Sequence, residues 1–192
     1  MKQPDSQILK EEKSLATPKF RHDINALRAI AVIGVLLFHY RIPFFDGGFS
    51  GVDVFFVISG FLMTQIITGS IKKGQFSILT FYGKRLKRIV PALLFLVFAI
   101  TAVTFFLYMP LDYTTNQQNA ASSVSFWSNM WYWRHSNYFD ASSDSNIFLH
   151  TWSLSVEWQF YLLYPLLLLL FTKIFKKPKV YFSFFIALTV LF

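Results

Sequence analysis

Long apolar stretches, each interrupted by one or two ionisable residues, alternate along this chain with short basic or serine-rich segments. A helix needs about 20 mostly apolar residues to cross a hydrocarbon core of about 30 Å. Residues 24–44, 49–68, 89–109 and 152–172 meet that length. They predict an all-α fold, a polytopic transmembrane helix bundle. A fifth segment, 119–134, contains "SSVSFWSNMWYW" and is short and rich in Ser, Asn and Trp, which predicts a re-entrant or interfacial helix. The final run, "VYFSFFIALTVLF" at 180–192, would extend only about 20 Å as a helix. It is expected to be an incomplete span, and the chain the N-terminal part of a truncated bundle.

Composition agrees with a membrane setting: 54% of residues are hydrophobic, 20% are aromatic and the mean hydropathy is +0.44. The net charge of +8 does not point to nucleic acid, because the basic residues sit between apolar runs rather than on a solvated face. They read better as topology signals. The polar segment 1–23 holds five Lys and Arg, 69–88 holds six with no acid, and 173–179 holds four, whereas 110–149 holds one arginine and three aspartates. Four spans with a non-crossing 119–134 put all three basic segments on one side, so the N-terminus is expected in the cytoplasm. No small-residue cleavage site follows the first apolar run, which reads as a retained span rather than a signal peptide. The absence of cysteine excludes a disulfide framework, a thiolate nucleophile and cysteine-ligated zinc. His22, His39, His135 and His150 show no metal-ligand spacing, and no metal is expected.

The chemistry resides in the ionisable residues of the spans. In "ALRAIAVIGVLLFHY" at 26–40, Arg28 and His39 are eleven positions apart. That is about three helical turns, so they share a face about 16 Å apart along the axis. Charge in a span usually faces a bundle interior or a wet cavity; the competing reading is an Arg28 that snorkels to headgroups and an interfacial His39. Asp53, in "GGFSGVDVFFVISGFL", either pairs within the bundle or caps the second helix, and Gly47, Gly48 and Gly51 before it suit close helix approach. Lys84, Arg85, Lys87 and Arg88 precede the third long apolar run. Such a cluster orients the chain or binds phosphate, to which guanidinium forks are matched, and Arg85 and Arg88 share a helix face. In "HTWSLSVEWQFY", Ser153, Glu157, Tyr161 and Tyr164 would form one polar stripe. Glu157 is either a buried acid or base or a first-turn residue reaching the headgroups.

Taken in order, these segments resemble the acyltransferase family 3 membrane proteins, bacterial O-acyltransferases of surface carbohydrates. The shared features are Arg28, ten residues and His39; "GGFSGVDVFFVISGFL"; Arg85 and Arg88 followed by "IVPA"; and "HTWSLSVEWQFY". The resemblance implies a bundle of about ten spans, more than four apolar runs of about 20 residues supply. It implies transfer of an acyl group, commonly acetyl, from acyl-CoA (acetyl-CoA) to a carbohydrate hydroxyl of a surface polysaccharide, lipopolysaccharide or peptidoglycan. Such an enzyme transfers groups other than aminoacyl groups and sits in the inner (cytoplasmic) membrane, in contact with membrane lipid and with no nucleic-acid partner. It maps the essential pair onto Arg28 and His39, coenzyme A phosphate binding onto Arg85 and Arg88, and the family glutamate onto Glu157.

On that basis His39 is the expected general base, acting directly on an acceptor hydroxyl or through a covalent relay. Arg28 is expected to orient the donor or stabilise developing charge, and Asp53 or Glu157 to hold the histidine tautomer or relay the proton. The alternative is a transporter or flippase in which the same ionisable residues line a path and no bond is made.

Overall fold

The computed structural model describes residues 21–135 and 146–174. The incomplete span expected at 180–192 and the first 20 residues of the polar segment lie outside them. Among the described residues the fold is helical, with α1 at His22–His39, a 3₁₀ turn at Asp46–Ser50, α2 at Gly51–Lys72 and α3 at Ile78–Leu107. These are followed by α4 at Pro110–Val124, α5 at Ser128–His135 and α6 at Thr151–Ile174. Four stretches, His22–His39, Asp46–Lys72, Ile78–Leu107 and Thr151–Ile174, are long and apolar enough to cross a membrane. Their surfaces fit that setting. On α3, for example, Phe98 is 73% and Phe106 82% exposed, a pattern that is costly against water and natural against lipid.

Local chemistry sets the helix limits. α1 starts beside an Arg21–Asp23 ion pair at 2.6 Å and stops at His39, because the chain enters the left-handed region at Arg41 (φ 53°) and Phe44 (φ 73°) with Pro43 between them. The helix therefore ends before residue 44. α3 is capped by Ser77, whose hydroxyl accepts from the Thr80 N–H at 3.4 Å, and runs for 30 residues, about 45 Å. That exceeds a hydrocarbon core, and its first turns carry Lys84, Arg85, Lys87 and Arg88. Most of the segment 69–88 is thus helical. α4 opens on Pro110 at the first helical turn, where the missing N–H costs nothing. Segment 119–134 consists of the end of α4 and most of α5, joined by a turn with Phe126 at φ 54°.

The contacts divide the chain into two units, up to Gly60 and from Phe61 onward. In the first, α1 lies against the 3₁₀ turn and the start of α2, where glycines permit backbone contact. A Cβ on Gly51 would meet the Ala31 carbonyl oxygen at 2.5 Å and Val35 Cγ2 at 2.8 Å, and one on Gly48 would meet Phe38 Cβ at 2.9 Å. The second unit has a core of Met63, Ile67, Phe81, Trp158, Tyr161 and Leu168. It joins the C-terminal half of α2 and the start of α3 to α6.

Candidate functional site

Arg28, His39 and Asp53 belong to the first unit, and Arg85, Arg88 and Glu157 to the second. Each group is built within its own unit.

On α1 the buried positions Ile24 and Ala31 mark the packed stripe. Arg28 and His39 are about 20° apart around the helix, on the flank of that stripe. Arg28 is half-buried, and its guanidinium carbon sits 5.8 Å from the centre of the Phe55 ring, a cation–π contact with α2. His39 is exposed, and its Nδ1–H donates to the Val35 carbonyl oxygen at 2.7 Å. A carbonyl only accepts, so in the neutral ring Nε2 is the basic nitrogen. A backbone carbonyl of its own helix thus accepts from Nδ1. Asp53 is exposed in the first turn of α2, where a carboxylate is favoured by the helix dipole.

In the second unit the structure brings Arg85, Tyr161 and Glu157 together. Arg85 is half-buried, with its guanidinium carbon 5.6 Å from the centre of the Phe81 ring and 5.5 Å from that of Tyr161. The Tyr161 hydroxyl in turn donates to Glu157 Oε1 at 2.5 Å. Among the described residues Arg85 forms no ion pair, and its Nε is buried with no hydrogen-bond partner. A half-buried cation whose N–H is unsatisfied suits an anion with several oxygens, such as a phosphate. Arg88 differs. It lies about 60° around the helix from Arg85 and is exposed. The two arginines share one side of α3, but only Arg85 packs between the rings.

The polar residues of α6 occupy two nearly opposite faces. Glu157, Tyr161 and Tyr164 face the α2 and α3 side, where the Tyr164 hydroxyl is 2.5 Å from Thr64 Oγ1 and Tyr82 donates to the Leu162 carbonyl at 2.7 Å. Thr151, Ser155 and Gln159 face α4 and α5. A chain of buried hydroxyls runs from Ser123 to Thr151 at 2.7 Å, Thr151 to Ser128 at 3.1 Å and Ser128 to Ser155 at 2.7 Å. Gln159 and Asn129 exchange two amide hydrogen bonds, each 3.0 Å. Ser153, placed in the stripe from spacing, instead donates to the His150 carbonyl at 3.0 Å. The second face was missed although Thr151, Ser155 and Gln159 follow the same spacing of four. No group of three or more His, Asp and Glu side chains converges as metal ligands among the described residues.

Comparison with known proteins gives these residues a family. A family model described as an acyltransferase domain matches residues 21–192. The O-acetyltransferase OatA of Staphylococcus aureus is 34% identical over 185 residues, 95% of this chain and 30% of that protein. The peptidoglycan O-acetyltransferase OatA of Listeria monocytogenes is 35% identical over 175 residues, 90% of this chain and 28% of that protein. An uncharacterized protein of Haemophilus influenzae is 39% identical over 131 residues, 68% of this chain and 54% of its own length. The chain thus spans less than a third of the length of the two O-acetyltransferases, and no solved structure matches it. With its arginine–histidine helix, its half-buried RxxR arginine and a match extending from residue 21 to residue 192, the chain belongs to acyltransferase family 3.

Proposed function

We propose that the chain is the donor-binding and catalytic part of a multi-pass membrane O-acyltransferase. It takes an acetyl group from acetyl-coenzyme A in the cytoplasm and passes it to a hydroxyl of a cell-wall carbohydrate, peptidoglycan in the first instance. The observation that carries this reading is Arg85: a half-buried guanidinium with no ion pair among the described residues and an unsatisfied Nε, on a helix whose second and third turns are basic. A polyphosphate donor would supply the missing acceptor oxygens. The names of the Staphylococcus and Listeria relatives support acetyl as the group, and that of the Listeria protein supports peptidoglycan as the acceptor.

In this reading the N-terminus lies in the cytoplasm, the membrane is the inner one, and Arg85 binds a coenzyme A phosphate with Arg88 at the rim. His39 Nε2 removes the proton from the attacking hydroxyl, the new C–O bond forms at the thioester carbonyl, and the thiolate of coenzyme A leaves. Nδ1–H bonded to Val35 keeps Nε2 as the base throughout. Arg28 stabilises the developing oxyanion or orients the acyl group. Glu157 takes part as a carboxylate acceptor, and Asp53 steadies the start of its helix.

The test supplies labelled acetyl-coenzyme A and cell-wall fragments to membranes carrying the chain. His39→Ala and Arg28→Ala are expected to abolish incorporation and Arg85→Ala to weaken coenzyme A binding. Undiminished incorporation in both of the first two variants would sink the assignment. Carbohydrate movement without coenzyme A consumption would favour a transporter.

A further inference from the structure

The family resemblance accounts for Arg85 and Glu157 separately, but not for the residue between them. Tyr161 is 5% exposed. Its ring lies against the Arg85 guanidinium, and its hydroxyl donates to Glu157 at 2.5 Å. A carboxylate and a guanidinium that both contact one tyrosine can pair in bidentate fashion. They do not, since Arg85 enters no ion pair among the described residues.

We infer that Tyr161 is a positioning residue that keeps Glu157 off Arg85 and thereby holds the guanidinium open for the phosphate of the donor. This deepens the proposed function and rests on its reading of Arg85 as the anion site. The hydroxyl engages one carboxylate oxygen on its own helix, one turn away, while the ring lies against the guanidinium. Without the hydroxyl, Glu157 loses this hydrogen bond, and the Arg85 guanidinium against the same ring is the cation it is expected to turn to. An Arg85 paired with Glu157 would be neutralised, and its N–H groups would already be taken when the donor arrives.

The prediction concerns binding, so turnover is not required. Coenzyme A is titrated at low ionic strength into the protein in neutral-detergent micelles, which contain no headgroup phosphate to compete. Tyr161→Phe retains the ring and its packing against Arg85 and removes only the hydroxyl. It is expected to weaken coenzyme A binding about tenfold, a size typical of coupling between contacting groups. Tyr161→Phe combined with Glu157→Gln is expected to restore affinity to that of Glu157→Gln alone, because an amide cannot neutralise Arg85. A packing defect would not be repaired by a second substitution, so the double variant separates the two explanations. Wild-type affinity in Tyr161→Phe, or a loss that persists in the double variant, would overturn the inference. If Arg85→Ala also binds coenzyme A normally, the proposed donor site itself fails. If Arg85→Ala loses binding while Tyr161→Phe does not, only the role of Tyr161 fails.

Discussion

Gly51 shows how one missing carbon determines local structure. Its backbone meets α1 so closely that a Cβ would lie 2.5 Å from the Ala31 carbonyl oxygen, and neither atom is the end of a flexible side chain. Gly51→Ala is therefore expected to destabilise the chain by about 1–3 kcal/mol through overpacking. Gly47→Ala, where nothing lies within 4 Å, should stay within about 0.5 kcal/mol of wild type. Denaturant unfolding in mixed micelles measures both, and equal losses would count against the close approach. That Gly48 and Gly51 serve close packing was legible in "GGFSGVD", whereas Gly47 does not; that the partners are Ala31, Gly34, Val35 and Phe38 was not legible. The same holds for His39. Its type and position suit a base, but the Val35 carbonyl that fixes its tautomer becomes visible only once the last turn of α1 is built.

The helix α6 exemplifies what one element contributes. One face carries Glu157, Tyr161 and Tyr164 toward the arginine side, and the other carries Thr151, Ser155 and Gln159 into the hydroxyl chain. Burying those hydroxyls is tolerable because each has a partner. Ser155→Ala leaves both the Ser128 hydroxyl and the Ser128 N–H without the oxygen they now contact, at an expected cost of about 1–3 kcal/mol. Removing both hydroxyls with Ser128→Ala and Ser155→Ala should cost less than the sum of the two, with a coupling of about 1 kcal/mol. A double-mutant cycle by denaturant unfolding checks this, and strict additivity would show the contact to be inert. The sequence reading found a polar stripe on this helix but drew one face instead of two. A spacing of four identifies residues that share a side, and it does not reveal that the helix has packing partners on both.

At the scale of the whole molecule, the arrangement of charge sets the expected orientation. The chain contains no cysteine, so single introduced cysteines report sidedness without background. A cysteine replacing Gln75, between α2 and α3, is expected to react with an impermeant maleimide only from the cytoplasmic side. One replacing Asp112, at the start of α4, should react only from outside. Labelling of both from the same side would overturn the four-span orientation. The sequence by itself determined the helical class, the four apolar stretches, the ionisable residues within them and the family. Each of these depends on composition summed over about 20 residues or on short ordered motifs, quantities that need no neighbours. Only the tertiary structure decided that Arg85 packs between two rings while Arg88 is exposed, that Tyr161 touches Arg85 with its ring and Glu157 with its hydroxyl, and that Ser123 meets Thr151 across 28 positions. A helix that is apolar nearly all around has little preference for which side faces its neighbours. Its rotation, and with it every contact of its few polar groups, is set by the helices that pack against it.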